Sequence, residues 1–200
     1  IDDAMARMGA EYLVINESNL EVVKTKDIQI DLSGVAKGYA VDEVAVALED
    51  FNIDSYFIEV GGEIKLKGFK PSNEEWLPAI EAPAAGTYEI YEVLSSRGEA
   101  FSLAGSGDYR NYFEIDGARY SHEIDPRTGR PVTHDLAAAF VITESAAEAD
   151  ALATAFMILG LEESKLVIGR DSISAFLISR ISENHFEHFV TSTFAQYLLK

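Results

Sequence analysis

The chain of 200 residues contains no cysteine. This excludes disulfides, thiolate metal sites and cysteine nucleophiles, and it says little about the compartment. No apolar run approaches the roughly 20 residues that a bilayer-spanning helix needs. The chain opens with Ile1-Asp2-Asp3 and shows no initiator methionine, signal peptide or lipidation site. We interpret this start as a processed or cut end, so that an export signal could belong to the segment before it.

Basic residues are scarce, with 16 lysines and arginines against 34 acidic residues and a net charge of −18. Such a surface repels nucleic acid and anionic lipid. A phosphate-bearing ligand therefore needs a local device, which would be a metal ion, a helix N-terminus or a few well-placed cations. The length allows one sizeable core or two small lobes that share one, and we treat 1–200 as one domain.

Hairpin signals dominate the predicted order of elements. Gly61-Gly62 separates strands predicted at 56–60 and 63–67, and Asp116-Gly117 separates strands predicted at 112–115 and 118–122. Both dipeptides suit a two-residue turn that requires positive φ. A last hairpin is predicted across Glu183-Asn184.

Other strands are predicted at 12–15, 29–32, 87–95, 99–104 and 136–143. Helices are predicted at 35–50 and from a capping box at Ser145–Glu148 to Leu159, with Gly160 as the stop signal. Strands outnumber helices and follow one another as hairpins. The predicted class is therefore α+β, with mainly antiparallel sheets built from hairpins and a few packed helices.

Asp150 and Thr154 are spaced to project from one face of the capped helix. A carboxylate, a hydroxyl and a nearby carbonyl suit a hard cation such as Mg²⁺, which takes its remaining ligands from water and substrate phosphates. An Asp and a Thr in the first turns of a helix also serve as dipole and capping residues. The pair alone leaves both interpretations open.

The segment Asp31-Leu-Ser-Gly-Val-Ala-Lys-Gly38 leads from a predicted strand through a glycine turn into a helix. This arrangement commonly directs backbone N–H groups at an anion. Lys37 can add a point charge and Asp31 an acceptor. The segment lacks the spacing and the Lys-Ser/Thr pair of a Walker loop, and by itself it is more typical of a structural turn.

A third candidate combines Ser106-Gly-Asp-Tyr109 with Ser121-His-Glu-Ile-Asp-Pro-Arg-Thr-Gly129. Asp125 to Gly129 is typical of a turn, in which Pro fixes φ and Gly closes the loop. His122 directly precedes this turn and can act as a general acid or base near neutral pH. A single histidine on a strand is also compatible with a purely structural role.

Five segments in this order resemble the FAD:protein FMN transferases, also called the ApbE family and long labelled thiamine-biosynthesis lipoproteins. They are Asp31–Asp42, Glu59–Glu63, Ser106–Arg110, His122–Pro131 and Ala149–Thr154. The resemblance covers essentially the whole chain. It implies that FAD is bound with Mg²⁺ on its pyrophosphate and that FMN is transferred to a threonine hydroxyl of an acceptor protein, with AMP leaving.

The resemblance also assigns residues. It implies Mg²⁺ ligation by Asp150, Thr154 and the backbone carbonyl of Gly34, where the family often has Ala. It implies a catalytic role for His122. The residues expected to contact FAD are Asp31, Lys37, Ser106, Ile124 and Asp125.

The resemblance further implies partners and a location. The expected acceptor is a flavin-carrying subunit of a membrane redox complex, and the expected location is extracytoplasmic, periplasmic or at the cell surface. Family members have about a hundred further N-terminal residues with an aromatic-rich segment that contacts FAD. We therefore expect an N-terminally truncated domain whose membrane anchor precedes Ile1 and which binds FAD weakly or not at all.

Two alternatives stay open at this point. The chain can be a Mg²⁺-dependent FAD pyrophosphatase, in which water rather than threonine attacks and the products are FMN and AMP. It can also be a non-catalytic flavin- or nucleotide-binding module.

Overall fold

The computed structural model describes residues 1–84, 89–108, 112–115, 118–182 and 185–200, without the side chains of Asp2, 112–115 and 118–120. Its α-helices are α1 (Asp2–Met5), α2 (Ala36–Asp50), α3 (Ala146–Asp171) and α4 (Ser192–Ala195), and one 3-10 helix spans Ala10–Tyr12. The strands in the first half of the described chain are β1 (Leu13–Asn16), β2 (Glu21–Lys24), β3 (Tyr56–Val60), β4 (Glu63–Lys67), β5 (Ala79–Glu81) and β6 (Ile90–Val93). Those in the second half are β7 (Phe101–Gly107), β8 (Tyr112–Ile115), β9 (Ala118–Ser121), β10 (Ile124–Asp125), β11 (Arg130–Pro131), β12 (Leu136–Thr143), β13 (Ser174–Ser182) and β14 (His185–Val190).

Six strands form the central sheet in the order β14-β13-β12-β7-β4-β3. Each neighbouring pair in it is antiparallel. Four separate hairpins pair β1 with β2, β5 with β6, β8 with β9 and β10 with β11. The α+β class with mainly antiparallel sheets, predicted from the sequence, is confirmed.

The Gly61-Gly62 turn joins β3 to β4 as predicted. Gly61 has φ 61° and Gly62 has φ 104°, both in the region where a Cβ is unfavourable. Val60 pairs with Glu63 directly across this turn. The strands on either side of Asp116-Gly117 and of Glu183-Asn184 are present, whereas the predicted turns themselves lie outside the described residues.

The prediction of a strand at 29–32 was wrong, because the structure describes these residues and has no strand there. Of the three apolar residues expected on one face, Ile28 is buried at 4% exposure, but Ile30 and Leu32 are exposed at 49% and 61%. Asp31 Oδ1 accepts a hydrogen bond from Ser33 N at 2.8 Å. The carboxylate thus bonds the backbone two residues on and favours a turn over an extended ladder.

Helix α3 begins where the capping box predicted, since Ser145 Oγ accepts from Glu148 N at 3.2 Å. Gly160 interrupts it with φ 76° and ψ 176°, at the position where the sequence predicts that the helix stops. The helix nevertheless resumes and continues to Asp171, which the sequence analysis missed. Ser164 Oγ donates to Phe156 O at 3.2 Å and so satisfies a carbonyl near the break.

The central sheet has a hydrophobic core on each face. Successive residues of β12 point to opposite faces of the sheet and so enter different cores. Phe140 packs with Phe176 and Phe194 on one face. Val141 packs with Phe156 and Met157 of α3 on the other face. This explains why the whole of β12 up to Ile142 is buried.

Helix α2 crosses the N-terminal end of α3 at very short range. A Cβ placed on Gly38 would lie 2.2 Å from the carbonyl oxygen of Ala146, so only glycine permits this approach. Asp42, one turn further along α2, accepts hydrogen bonds from Ser145 Oγ at 2.8 Å and from the N–H groups of Ala146 and Ala147 at 3.0 Å each. The crossing therefore also caps α3.

We expect Gly38→Ala to lower the free energy of unfolding by about 3 kcal/mol or more, because the added methyl group collides with backbone that cannot move aside. Denaturant unfolding followed by circular dichroism measures this loss. Gly169→Ala is the matched control, since a Cβ there meets nothing within 4 Å. That control should keep or raise stability by up to about 1 kcal/mol, and an equal loss in both variants would contradict the steric argument.

Candidate active site

A cleft of about 780 Å³ opens between the β3–β4 turn, the end of β7 and the residues that follow β9. Its wall includes Lys37, Ser106 and His122 from the predicted site, together with Gly61 and Gly62. Lys37 is the single lysine or arginine that lines it among the described residues. An anionic ligand in this cleft thus meets one ammonium group in an otherwise acidic protein.

The predicted metal ligands lie together at the crossing of α2 and α3. Asp150 is buried at 2% exposure, and its Oδ2 accepts from Gly38 N at 3.0 Å. Thr154 Oγ1 is 3.2 Å from Ser106 Oγ. A Cβ on Gly34 would lie 3.3 Å from Thr154 Cγ2, so an alanine at this position would press against Thr154.

This donor set fits a hard cation. It offers a carboxylate oxygen, a hydroxyl and a backbone carbonyl, which are the ligands that Mg²⁺ prefers. With a single carboxylate it leaves most of the coordination shell to water and ligand phosphates. No group of three or more His, Cys, Asp or Glu that could hold a metal occurs among the described residues.

Not every backbone N–H in the first turn of α2 is available to an anion. Ala36 N donates to Leu32 O at 2.8 Å, and Gly38 N donates to Asp150. Lys37 is therefore the clearer anion contact that this segment offers.

Lys37 is held by Glu63, which the sequence analysis did not single out. Lys37 Nζ donates to Glu63 Oε1 at 2.5 Å, and Glu63 is fully buried. Burial raises the pKa of the Glu63 carboxyl, while the bond from Lys37 opposes that shift and the nearby Asp150 adds to it. The pair is one of several between α2 and β4, which also include Lys65 with Asp42.

His122 follows β9 directly, is exposed and lines the cleft. Its neighbour Glu123 also lines the cleft but is buried at 9% exposure. Glu123 Oε2 accepts from Ser121 Oγ at 3.3 Å. Burial raises the pKa of Glu123 to about 7, with Ser121 opposing and Asp108 adding to the rise. An imidazole and a carboxyl that titrates near neutrality are thus adjacent in this wall.

Three predicted FAD contacts are not among the residues that line the cleft. Asp31 is exposed, and its bond to Ser33 lowers the pKa of its carboxyl. Ile124 is 46% exposed at the start of the next hairpin. Both oxygens of Asp125 accept from Arg127, which also donates to Glu163 on α3 at 2.7 Å. Their assignment to FAD stays a prediction.

The turn predicted at Asp125–Gly129 is present. Thr128 N and Gly129 N both donate to Asp125 O, at 3.1 and 2.8 Å. Gly129 has φ 64°, where glycine is favoured. An exposed ion pair between Arg127 and Glu163 connects this turn to the second half of α3.

Comparison with known proteins shows the family of this chain. The ApbE family model matches residues 1–177. The chain belongs to the ApbE family. An FAD:protein FMN transferase of Vibrio cholerae is 39% identical over 192 residues, which are 96% of this chain and 56% of that protein. One of Escherichia coli strain K12 is 36% identical over 202 residues, covering 100% of this chain and 57% of that protein.

Solved structures agree in fold. The apo form of the flavinyl transferase ApbE of Pseudomonas stutzeri has a TM-score of 0.85 at 38% identity, covering 98% of this chain and 59% of that one. The Thermotoga maritima ApbE protein has a TM-score of 0.84 at 27% identity and covers 100% and 63%. The chain thus spans a little over half the length of the relatives it matches.

The pKa of Glu123 predicts a pH-dependent loss of stability. Its folded value of about 7 exceeds the ordinary 4.5, so the folded state retains the proton while the unfolded chain releases it. Relative to Glu123→Gln, the wild type should therefore lose up to about 3 kcal/mol as the pH rises from roughly 4.5 to 7, and no more above that.

Denaturant unfolding at several pH values checks this difference. Glu17→Gln, which removes an exposed carboxylate, is the control and should track the wild type throughout. If the difference between wild type and Glu123→Gln were constant with pH, Glu123 would not be the buried acid described.

Proposed function

We propose that the protein is a Mg²⁺-dependent transferase that moves FMN from FAD to a threonine hydroxyl of an acceptor protein and releases AMP. The observation that carries this proposal is the convergence of Asp150, Thr154 and Ser106 beside a cleft that also contains Lys37 and His122. Family membership supports the same chemistry, because relatives are named FAD:protein FMN transferases.

Asp150, Thr154 and the Gly34 carbonyl would hold the Mg²⁺. When bound, the ion would neutralise phosphate charge, which phosphoryl transfer needs more than covalent help. Ser106 would orient Thr154, since their hydroxyl oxygens are 3.2 Å apart. The buried Asp150 is in turn oriented by the N–H of Gly38.

Two side chains of the cleft would position the substrate and transfer the proton. Lys37 would donate hydrogen bonds to the pyrophosphate and position it. His122 would take the proton from the attacking threonine hydroxyl. As the new bond forms between that oxygen and the phosphorus of the FMN half, the bond to the bridging oxygen breaks and AMP leaves with the electron pair. An exposed imidazole at the cleft can reach a side chain that another protein presents.

The acceptor and the location belong to the same proposal. The resemblance supports a flavin-carrying subunit of a membrane redox complex as acceptor, and an extracytoplasmic site of action with an N-terminal membrane anchor. No helix in the described part of the chain is long and apolar enough to cross a bilayer. Fractionation of cells that produce the intact protein tests the location, because a cytosolic protein would contradict it.

Incubation with FAD, Mg²⁺ and a threonine-bearing acceptor separates the open alternatives. Covalently yellow acceptor supports the transferase. Free FMN with AMP, formed equally without acceptor, supports the pyrophosphatase instead. Flavin that stays bound and unreacted supports a binding module.

We expect Asp150→Asn to lower Mg²⁺-dependent turnover roughly 100-fold or more, because the ligating charge is removed. The asparagine keeps an oxygen acceptor for Gly38 N, so the helix crossing should persist. Asp171→Asn removes a carboxylate at the far end of the same helix and is the control. Unchanged turnover in Asp150→Asn, measured as AMP release, would contradict the metal assignment.

We expect His122→Asn to lower the rate of flavin transfer by about 100-fold or more, the usual contribution of a general base. The FAD dissociation constant should change much less, since His122 acts on the acceptor hydroxyl. Acceptor fluorescence after gel separation measures the transfer. A loss confined to FAD affinity would assign His122 to binding rather than to proton transfer.

A further inference from the structure

Glu63 is a buried acid with an unsatisfied oxygen. It is the first residue of β4, it is 0% exposed, and its Oε1 accepts from Lys37 Nζ. Its Oε2 is buried and has no hydrogen-bond partner in the described part of the chain. A carboxylate in this situation carries a desolvation cost that one ion pair does not fully offset. The position therefore calls for an explanation other than stability.

The local structure fixes the Lys37 side chain on two sides. The ammonium group donates a hydrogen bond to the buried Glu63 carboxylate, and the β3–β4 turn contacts the aliphatic part of the side chain. A Cβ on Gly61 would lie 3.1 Å from Lys37 Cδ, so the turn packs against that stem. The Lys37 side chain is still 44% exposed and lines the cleft.

An ammonium group has three donors, and one of them is used by Glu63. The other two have no partner among the described residues and are available toward the cleft. Because the ion pair as a whole is neutral, it attracts an anion only weakly at a distance. The pair instead offers two N–H donors of Lys37 whose position is set by Glu63 and by the β3–β4 turn.

We propose that Glu63 is a positioning residue that holds the Lys37 ammonium against the cleft wall, so that its two remaining N–H bonds meet the phosphate oxygens of FAD. This inference rests on the proposed function. Glu63 is not among the residues that line the cleft, so it would not contact the ligand directly. Its effect on ligand binding must therefore pass through Lys37.

A double-mutant cycle tests that dependence. The variants are Glu63→Gln, Lys37→Met and the two combined, each made in the intact protein with its N-terminal segment. The measurement is FAD affinity in the presence of Mg²⁺ from flavin fluorescence. We expect Glu63→Gln to weaken FAD binding roughly tenfold when Lys37 is present, the loss typical of a charged hydrogen bond. In the Lys37→Met background the same change should alter affinity by less than about twofold.

Glu59→Gln is the matched control, because Glu59 lies on the same hairpin and lines the same cleft but bonds Gly62 N rather than Lys37. Its effect should be the same with and without Lys37. An equal loss from Glu63→Gln in both backgrounds would overturn the proposal and assign Glu63 a purely structural role. Glu63→Met, which replaces the acid by an apolar side chain of similar length, repeats the cycle if the glutamine variant does not fold.

A second measurement does not depend on FAD. Acylation of Lys37 by an amine reagent, followed by peptide mass spectrometry, reports how firmly the ammonium is held. We expect labelling to be several-fold faster in Glu63→Gln and unchanged in Glu59→Gln, because only Glu63 holds the Lys37 amine in a hydrogen bond. Unchanged labelling in Glu63→Gln would overturn the positioning role. Failure of the intact wild-type protein to bind FAD, with labelling as expected, would overturn the proposed function alone.

Discussion

The site depends on the close crossing of α2 over the first turn of α3. The missing side chain of Gly38 lets the two backbones approach, and the carboxylate of Asp42 then satisfies the first N–H groups of α3. Burial raises the pKa of Asp42, but the bonds from Lys65, Ala147, Ala146 and Ser145 outweigh it and lower the pKa overall. The acid therefore stays charged while it caps the helix.

This crossing also explains why Asp150 and Lys37 belong to one site. Gly38 N donates to Asp150, and Lys37 is the adjacent residue. Any displacement of α2 along α3 would therefore move the proposed phosphate contact and the proposed metal ligand relative to each other. Rigid helices hold such groups more accurately than loops do.

The ion pairs between α2 and β4 have a second consequence for the cleft. Lys65 and Lys67 of β4 pair with Asp42 and Glu49 of α2, so the strand supplies the cations. At the cleft the signs are reversed, because α2 supplies Lys37 and β4 supplies Glu63. As a result the cation is Lys37, the partly exposed member of the pair, which a ligand can reach.

Local signals predicted much of this structure. The turns at Gly61-Gly62 and Gly129 and the capping box at Ser145 each depend on a few neighbouring residues, and each was confirmed. The stop predicted at Gly160 is a local interruption, since the helix resumes after it. The strand at 29–32 failed because alternation of apolar residues does not reveal whether a second layer covers them. Here Ile30 and Leu32 are exposed, and the Asp31 carboxylate favours a turn.

The burial of Glu63 and Glu123 was not predictable from the sequence. Glu63 alternates with Lys65 and Lys67 along β4, which is the pattern of a solvated strand face, yet α2 covers that face. Glu123 stands between a histidine and an exposed isoleucine, so nothing local marks it as buried. Both depend on contacts between residues distant in the chain, whereas the Asp150 and Thr154 spacing lies within one helix.

The neutral Lys37–Glu63 pair also affects the rate at which an anionic ligand associates. A cleft whose cation is already paired provides little long-range field, while the chain carries a net charge of −18. An anionic nucleotide would then approach against a repulsive potential and gain its favourable contacts only on arrival. Added salt screens that repulsion over about 8–10 Å at moderate ionic strength, so it would speed association rather than slow it.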